Sequence, residues 1–303
     1  MSTSVWLATT TLVAALALAA CGSDDEPSAT TESDSPSTAA PSSSSADPSA
    51  SATTVTRTPE LDAIGVIGHS GATGADSNGD GLDVPGNSWA TGDNPDVDSV
   101  YLRLLADHPG LEGHSYNNAV SGSDLSSLMG QARSVLDNDP VPDIVLIQSI
   151  DNDLRCDGSD QDNYGPFEAG IDEVITYLQT TAPGIKVFFV DQWASVRAYD
   201  DVAQTDPDLV RYLSGSGLCD TFTLKGERNP NAEAYLQGLV DEYFNRIVEV
   251  CAQHQDCATD EGAMQQLRLD PTDLTDDYNH LMVSGQAKMA AIAWQQLPPA
   301  WKS

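Results

Sequence analysis

Ile185-Lys186-Val187-Phe188-Phe189-Val190 is the clearest β-strand of this 303-residue chain, because β-branched and aromatic side chains pack well on a pleated sheet. Residues 143–147, Asp-Ile-Val-Leu-Ile, indicate a second strand, whose continuous apolar run is typical of a strand buried on both faces. Residues 63–67 and 114–120 are shorter strand candidates upstream.

Helical periodicity fills the stretches between these strands. The predicted helices cover residues 97–106, 125–136, 167–178, 232–251 and 284–295. Strands that alternate with helices predict an α/β fold, a three-layer α/β/α arrangement with a parallel sheet in the middle. In such sheets, ligands bind beyond the carboxyl ends of the strands.

Polar and glycine residues stand where the predicted strands end. Ser70 follows the first strand in the tight turn that a nucleophilic serine needs. Residues 118–122 (Asn-Ala-Val-Ser-Gly) follow the second strand, and residues 149–153 (Ser-Ile-Asp-Asn-Asp) follow the third. Residues 277–280 (Asp-Tyr-Asn-His) stand just before the last helix. Each segment alone is a weak signal, and their order along the chain is the stronger one.

In this order the four segments resemble the motif blocks of the SGNH hydrolases, also called the GDSL esterase/lipase family, over residues 62 to 295. The resemblance implies a flavodoxin-like sheet, with Ser70 as nucleophile, His280 as general base and Asp277 as the residue that orients the histidine. It also implies an oxyanion hole formed by the backbone N–H groups of Ser70 and Gly122 and the side-chain amide of Asn152. The implied reaction is hydrolysis of a carboxylic ester, acyl or acetyl, through an acyl-enzyme, with no cofactor.

Two positions depart from the family pattern. His69 stands where the family usually has Asp, and Ile150 stands where the asparagine block usually has Gly. Two alternatives therefore stay open. One is an acyltransferase that uses the same triad, and the other is a non-catalytic surface module that binds glycans. The expected partner is a small-molecule or glycan ester.

The N-terminus predicts export. Residues 1–20 contain an apolar run of signal-peptide length, and Leu18-Ala19-Ala20-Cys21 matches the bacterial lipobox, which predicts lipid attachment at Cys21. No Lys or Arg precedes the apolar run, which leaves open a natural start further upstream. Residues 21–58 are rich in Ser, Thr, Ala and Pro and predict a flexible tether. We therefore expect a catalytic domain over residues 59–303, held to the outer face of the cell membrane, with an ordinary cleaved signal and a secreted protein as the alternative.

Four cysteines remain after Cys21, an even count that predicts two disulfides in an exported protein. Four cysteines allow three pairings. Cys251 and Cys257 are close in sequence at a helix end, which favours that pair together with Cys156 and Cys219. The absence of any CxxC spacing argues against a zinc site.

The chain is strongly acidic, with 13 Lys and Arg against 46 Asp and Glu and a formal net charge of −33. The tether holds six acids and one base, which leaves 40 acids and 12 bases elsewhere, a net of −28. Binding of nucleic acid is excluded on this ground, because phosphate contacts need clustered Lys and Arg. We expect a monomer.

Two further features lie outside the four blocks. Residues 76–83 (Asp-Ser-Asn-Gly-Asp-Gly-Leu-Asp) resemble the first half of a calcium-binding loop, although position twelve is Asn87 instead of Glu. A solvated acidic turn is the favoured interpretation. Trp89, Trp193 and Tyr199 are candidates for a sugar-stacking wall beside the site, and equally for core or lid residues.

Overall fold

The structure is a computed structural model that describes residues 60–303. The predicted signal peptide, Cys21 and the tether lie outside the described residues. No helix within the described range is long and apolar enough to cross a membrane.

Within residues 60–303, five parallel strands form the central sheet, which confirms the predicted fold class. In chain order they are β1 (Ile64–Gly68), β2 (Ser115–Asn117), β3 (Ile144–Gln148), β4 (Lys186–Val190) and β7 (Cys257–Thr259). Their spatial order is β2-β1-β3-β4-β7, and Val66 lies beside both Asn117 and Leu146. A separate two-stranded sheet joins β5 (Ser214–Gly215) to β6 (Phe222–Thr223).

Residues 60–303 contain eight α-helices, which lie between the strands or after the last one. They are α1 (Ser70–Thr73), α2 (Val100–Asp107), α3 (Leu125–Leu136), α4 (Asp160–Thr181), α5 (Val196–Ala203), α6 (Pro207–Tyr212), α7 (Pro230–Cys251) and α8 (Val283–Gln296). Because successive strand residues point to opposite faces, the sheet divides the core in two. Val66 and Leu146 pack with apolar residues of α2 and α8 on one face, and Ile147 and Phe189 pack with those of α3, α4 and α7 on the other.

Both cysteine pairs favoured from the sequence are disulfide-bonded. Cys156 is linked to Cys219 with 5.6 Å between the Cα atoms, and Cys251 to Cys257 with 5.3 Å. The first bridge closes a long loop and ties the segment after β3 to the segment between β5 and β6. The second joins the end of α7 to the start of β7.

Candidate active site

The turn after β1 presents Ser70 at the start of α1. Gly68 has φ of +136°, and a Cβ at that position would lie 1.9 Å from the carbonyl oxygen of Gln148, so the turn accepts only glycine. His69 caps α1, because its Nδ1 accepts a hydrogen bond from the backbone N–H of Gly71 at 3.1 Å. This is the bond that an Asp at the same position would accept, so the departure at His69 leaves the local turn intact.

His69 itself is buried and uncharged. Burial lowers its pKa, the nearby Asp151 raises it less, and His280 lowers it further. Since Nδ1 accepts a hydrogen bond, the proton of the neutral ring lies on Nε2. That atom is buried and has no hydrogen-bond partner among residues 60–303.

The loop before α8 pairs Asp277 with His280. The Oδ2 atom of Asp277 lies 2.6 Å from Nδ1 of His280, and its Oδ1 atom accepts the backbone N–H groups of Asn279 and His280 at 2.8 and 3.1 Å. Partial burial pushes the pKa of Asp277 upward, but hydrogen bonds from Thr275, Asn279 and His280 outweigh burial and hold the pKa below its usual value. The carboxylate therefore stays ionised and fixes the histidine tautomer that leaves Nε2 free of hydrogen. Nε2 is buried and accepts no hydrogen bond within the described chain.

The segments after β2 and β3 supply candidate hydrogen-bond donors. Gly122 is exposed, with φ of +75°. The side-chain amide of Asn152 is oriented by one bond, which its Nδ2 donates to the carbonyl oxygen of Ser123 at 2.9 Å. An amide nitrogen carries two hydrogens, so one remains for a ligand. Asp153 holds this segment in place by accepting the N–H of Leu125 at the start of α3, and burial raises the pKa of Asp153 to about 6.

All five residues singled out by the resemblance line one cavity of about 480 Å³. They are Ser70, Gly122, Asn152, Asp277 and His280. This cavity, called the catalytic cavity below, lies beyond the carboxyl ends of the strands, because each segment except the 277–280 loop directly follows a strand. The structure thus brings together residues that are separated by more than 200 positions in the sequence.

Ile150, the second departure from the family pattern, has an unusual backbone. Its φ of +106° is rare for a β-branched residue, and glycine adopts such values without strain. Its side chain is buried in the core on the α3, α4 and α7 face. The position therefore has the backbone of a glycine and the packing of an isoleucine.

The acidic loop at residues 76–83 forms a wall of the catalytic cavity. Oδ1 of Asp83 accepts hydrogen bonds from the hydroxyl groups of Thr73 and Ser121, which ties the loop to α1 and to residues 118–122. Oδ1 of Asp76 accepts the N–H of Gly81 at 2.6 Å. Within residues 60–303, no three His, Cys, Asp or Glu side chains are grouped so as to hold a metal ion. The sequence pattern, interpreted as a solvated acidic turn or a calcium site, does not reveal this role of Asp83.

The three aromatic residues singled out from the sequence lie in two different places in the structure. Trp89 belongs to the core, fully buried, with its indole N–H donated to Oε1 of Gln148. Trp193 and Tyr199 instead line a second cavity beside the first. The sequence marked these two residues as candidates for a wall beside the site, but it did not mark the rest of that cavity, since its walls come from segments far apart in the chain.

Comparisons with known proteins add a likeness of fold. No protein-family model matches the chain, and no curated protein matches it. Among solved structures, an acetyl xylan esterase, AlAXEase, is 16% identical over 78% of this chain and 100% of its own, with a TM-score of 0.48. A putative lipolytic protein of the G-D-S-L family from Desulfitobacterium hafniense is 12% identical over 78% and 99%, with a TM-score of 0.46. The family 3 carbohydrate esterase of Clostridium thermocellum is 16% identical over 77% and 92%, with a TM-score of 0.43. At these scores the likeness carries nothing about activity, and the functional conclusion depends on the site itself.

Proposed function

We propose that this chain is a serine hydrolase that cleaves carboxylic esters, acyl or acetyl, through an acyl-enzyme. One observation carries the proposal. The catalytic cavity is lined by a serine at a helix start and by a histidine whose Nδ1 is held 2.6 Å from a carboxylate. That is the set of groups that nucleophilic catalysis by serine requires.

Each group then has a defined role. The Ser70 hydroxyl is a weak nucleophile at neutral pH, so Nε2 of His280 takes its proton as the oxygen attacks the ester carbonyl. The histidine returns that proton to the departing alcohol, which leaves the acyl group on Ser70. A water molecule, deprotonated by the same nitrogen, then releases the acid and restores the serine. Asp277 keeps the tautomer correct and stabilises the charged ring between the two proton transfers.

The negative charge that develops on the carbonyl oxygen needs hydrogen-bond donors. We assign this role to the N–H groups of Ser70 and Gly122 and to the amide of Asn152. Removing one such donor costs about 2.7–4 kcal/mol of transition-state stabilisation. The bond from Asn152 to Ser123 supports the assignment, because it orients the amide before substrate arrives.

We propose that the enzyme acts outside the cytosol, where esters of the cell envelope are its candidate substrates. The two disulfides support this location, because such bonds persist in oxidising compartments. Attachment at Cys21 would hold the domain at the outer face of the membrane, and this remains a prediction from the sequence.

Labelling with a fluorophosphonate tests the proposal directly, because the reagent reacts with an activated serine. We expect the purified protein to be labelled and Ser70→Ala to be unlabelled. Ser121→Ala is the matched control, since Ser121 is a second serine on the same cavity and is bonded to Asp83. Its labelling should persist.

Two outcomes would contradict the assignment. A folded wild-type protein that takes up no label would favour a non-catalytic glycan-binding module. Labelling that survives in Ser70→Ala would place the nucleophile elsewhere. If Ser70 is labelled, the ratio of acid to transferred ester in the presence of a sugar acceptor separates the hydrolase from an acyltransferase.

A further inference from the structure

A second cavity, of about 380 Å³, adjoins the catalytic cavity. Asn279 lines both cavities, and Asp151 of the second precedes Asn152 of the first. We call it the aromatic pocket, and it is defined by Trp193, Tyr199, Tyr212, Tyr278, Asp151 and Asp200. Since adjacent Cα atoms are about 3.8 Å apart, one substrate can reach both cavities.

Four aromatic rings line the aromatic pocket. Trp193 and Tyr199 meet edge to face, with ring centres 5.5 Å apart. Tyr212 and Tyr278 are tilted at 48° with centres 5.9 Å apart. Tilted neighbouring rings present faces as well as edges to the space between them, and the face of an aromatic ring attracts a cation.

Among residues 60–303, the only charged side chains that line the aromatic pocket are the carboxylates of Asp151 and Asp200. Asp200 is fully buried, and its Oδ1 atom accepts a hydrogen bond from the Thr221 hydroxyl at 2.7 Å. Its Oδ2 atom has no hydrogen-bond partner in the described chain. A buried carboxylate oxygen without a partner is costly. The negative charge of Asp151 and Asp200 favours a positive group in the pocket.

We infer that the aromatic pocket binds the ammonium group of a positively charged ester, while the ester carbonyl lies in the catalytic cavity. This inference rests on the proposed function and names its substrate class. An uncharged acyl chain would gain nothing from the two carboxylates. The net charge of −28 outside the tether also favours a positively charged substrate, since it concentrates cations at the surface.

Two esters of the same shape test the inference. Acetylcholine and 3,3-dimethylbutyl acetate differ only in a quaternary nitrogen that replaces a carbon, so shape and apolar area are matched. We expect kcat/KM to be about tenfold higher for acetylcholine, the range that a desolvated cation–π contact supports. Equal values, or a preference for the neutral ester, would overturn the inference and favour an acyl-chain pocket, while hydrolysis of either ester upholds the proposed function.

The variant Asp200→Asn tests whether the preference for acetylcholine arises in the aromatic pocket. Its Oδ1 atom can still accept the Thr221 hydroxyl, so the variant should fold, and a melting curve verifies this. We expect the ratio of the two kcat/KM values to fall to below about threefold. Glu173→Gln, an exposed change of the same charge on α4, should keep the wild-type ratio. If the ratio falls equally in both variants, overall charge explains the preference and the pocket does not.

Binding without turnover provides an independent readout. Tetramethylammonium should bind to Ser70→Ala protein by calorimetry and should bind more weakly when Asp200→Asn is added. Binding that is absent, or unchanged by Asp200→Asn, contradicts the inference even if neither ester is hydrolysed. A failure of the proposed function alone would leave this binding intact.

Discussion

The side chain of Ile150 packs in the core, while its backbone is held in a strained conformation. A residue held at a strained φ costs on the order of 1–3 kcal/mol, and the surrounding core holds Ile150 at +106°. The next residues are Asp151 and Asn152, which line the two cavities. The strained backbone therefore lies two residues before Asn152, whose side-chain amide is an assigned donor of the oxyanion hole.

The strain can be measured by comparing Ile150→Gly with Ile147→Gly. Both isoleucines are buried in the same part of the core, but Ile147 lies in the regular strand β3. Each change removes the same side chain, and only the first relieves strain. We expect Ile150→Gly to lower the free energy of unfolding by about 1–3 kcal/mol less than Ile147→Gly does, measured by urea denaturation. Equal losses would mean that Ile150 is unstrained.

At the scale of elements, α5 supports the loop that carries Asp277 and His280. The hydroxyl of Tyr199, on α5, donates a hydrogen bond to the carbonyl oxygen of Tyr278. Tyr278 lies between the two loop residues and has φ of +60°. Burial raises the pKa of Tyr199, so its hydroxyl stays protonated and remains a donor. We consider Tyr199 a positioning residue for the histidine.

Tyr199→Phe removes this bond and keeps the ring. A neutral hydrogen bond is worth about 0.5–1.5 kcal/mol, so we expect kcat on a neutral ester to fall by about twofold to tenfold, with KM changed less. Tyr116→Phe is the control, because the Tyr116 hydroxyl also donates to a backbone carbonyl, that of Asp139, and Tyr116 lines neither cavity. If both variants lose the same kcat, the effect is general destabilisation.

The elements that the sequence predicted well are those with a clear pattern of apolar residues. The helix predicted over 125–136 coincides with α3, and the strand predicted over 185–190 differs from β4 by one residue. The structure also contains β7, which was missed because Cys-Ala-Thr is a short edge strand without an apolar run. The helix predicted over 167–178 is longer, since α4 begins at Asp160 and includes Pro166 in its interior.

The catalytic cavity was predictable from the order of the motifs, whereas the sequence indicated only Trp193 and Tyr199 of the aromatic pocket, for a geometric reason. The carboxyl ends of neighbouring parallel strands meet at one edge, so polar residues such as Ser70 and Asn152 are brought together by topology alone. Much of the aromatic pocket is built by α5, α6 and the segment between β5 and β6, which were not predicted, and α7 adds Leu236 and Val240. From the sequence, Asp200 is one of many acids in an acidic chain, and only the fold places it at the pocket.

At the scale of the whole molecule, buried acids dominate the response to pH. Burial raises the pKa of Asp191 to about 7 and the pKa values of Asp153, Asp200 and Asp260 to about 6. The unfolded chain releases these protons near pH 3.9. Between about pH 4 and 7 the folded state thus binds more protons, and its stability falls as the pH rises.

We expect the melting temperature to be several degrees lower at pH 8 than at pH 5.5, at constant ionic strength. Asp191→Asn should reduce this difference, because it removes the group with the highest raised pKa. Asp277 has a lowered pKa, so its ionised form stabilises the folded state. This stabilisation is lost only at more acidic pH. A protein that is more stable at pH 8 would contradict the assignment of these acids as buried and destabilising when charged.

The catalytic cavity takes its first residue from position 70 and its last from position 280, just before α8. Any chain that is still emerging from the ribosome, or still threading through a translocation pore, lacks one side of the cavity. On the proposed function, the enzyme would be inert throughout synthesis and export, and its activity would begin when α8 docks on the sheet.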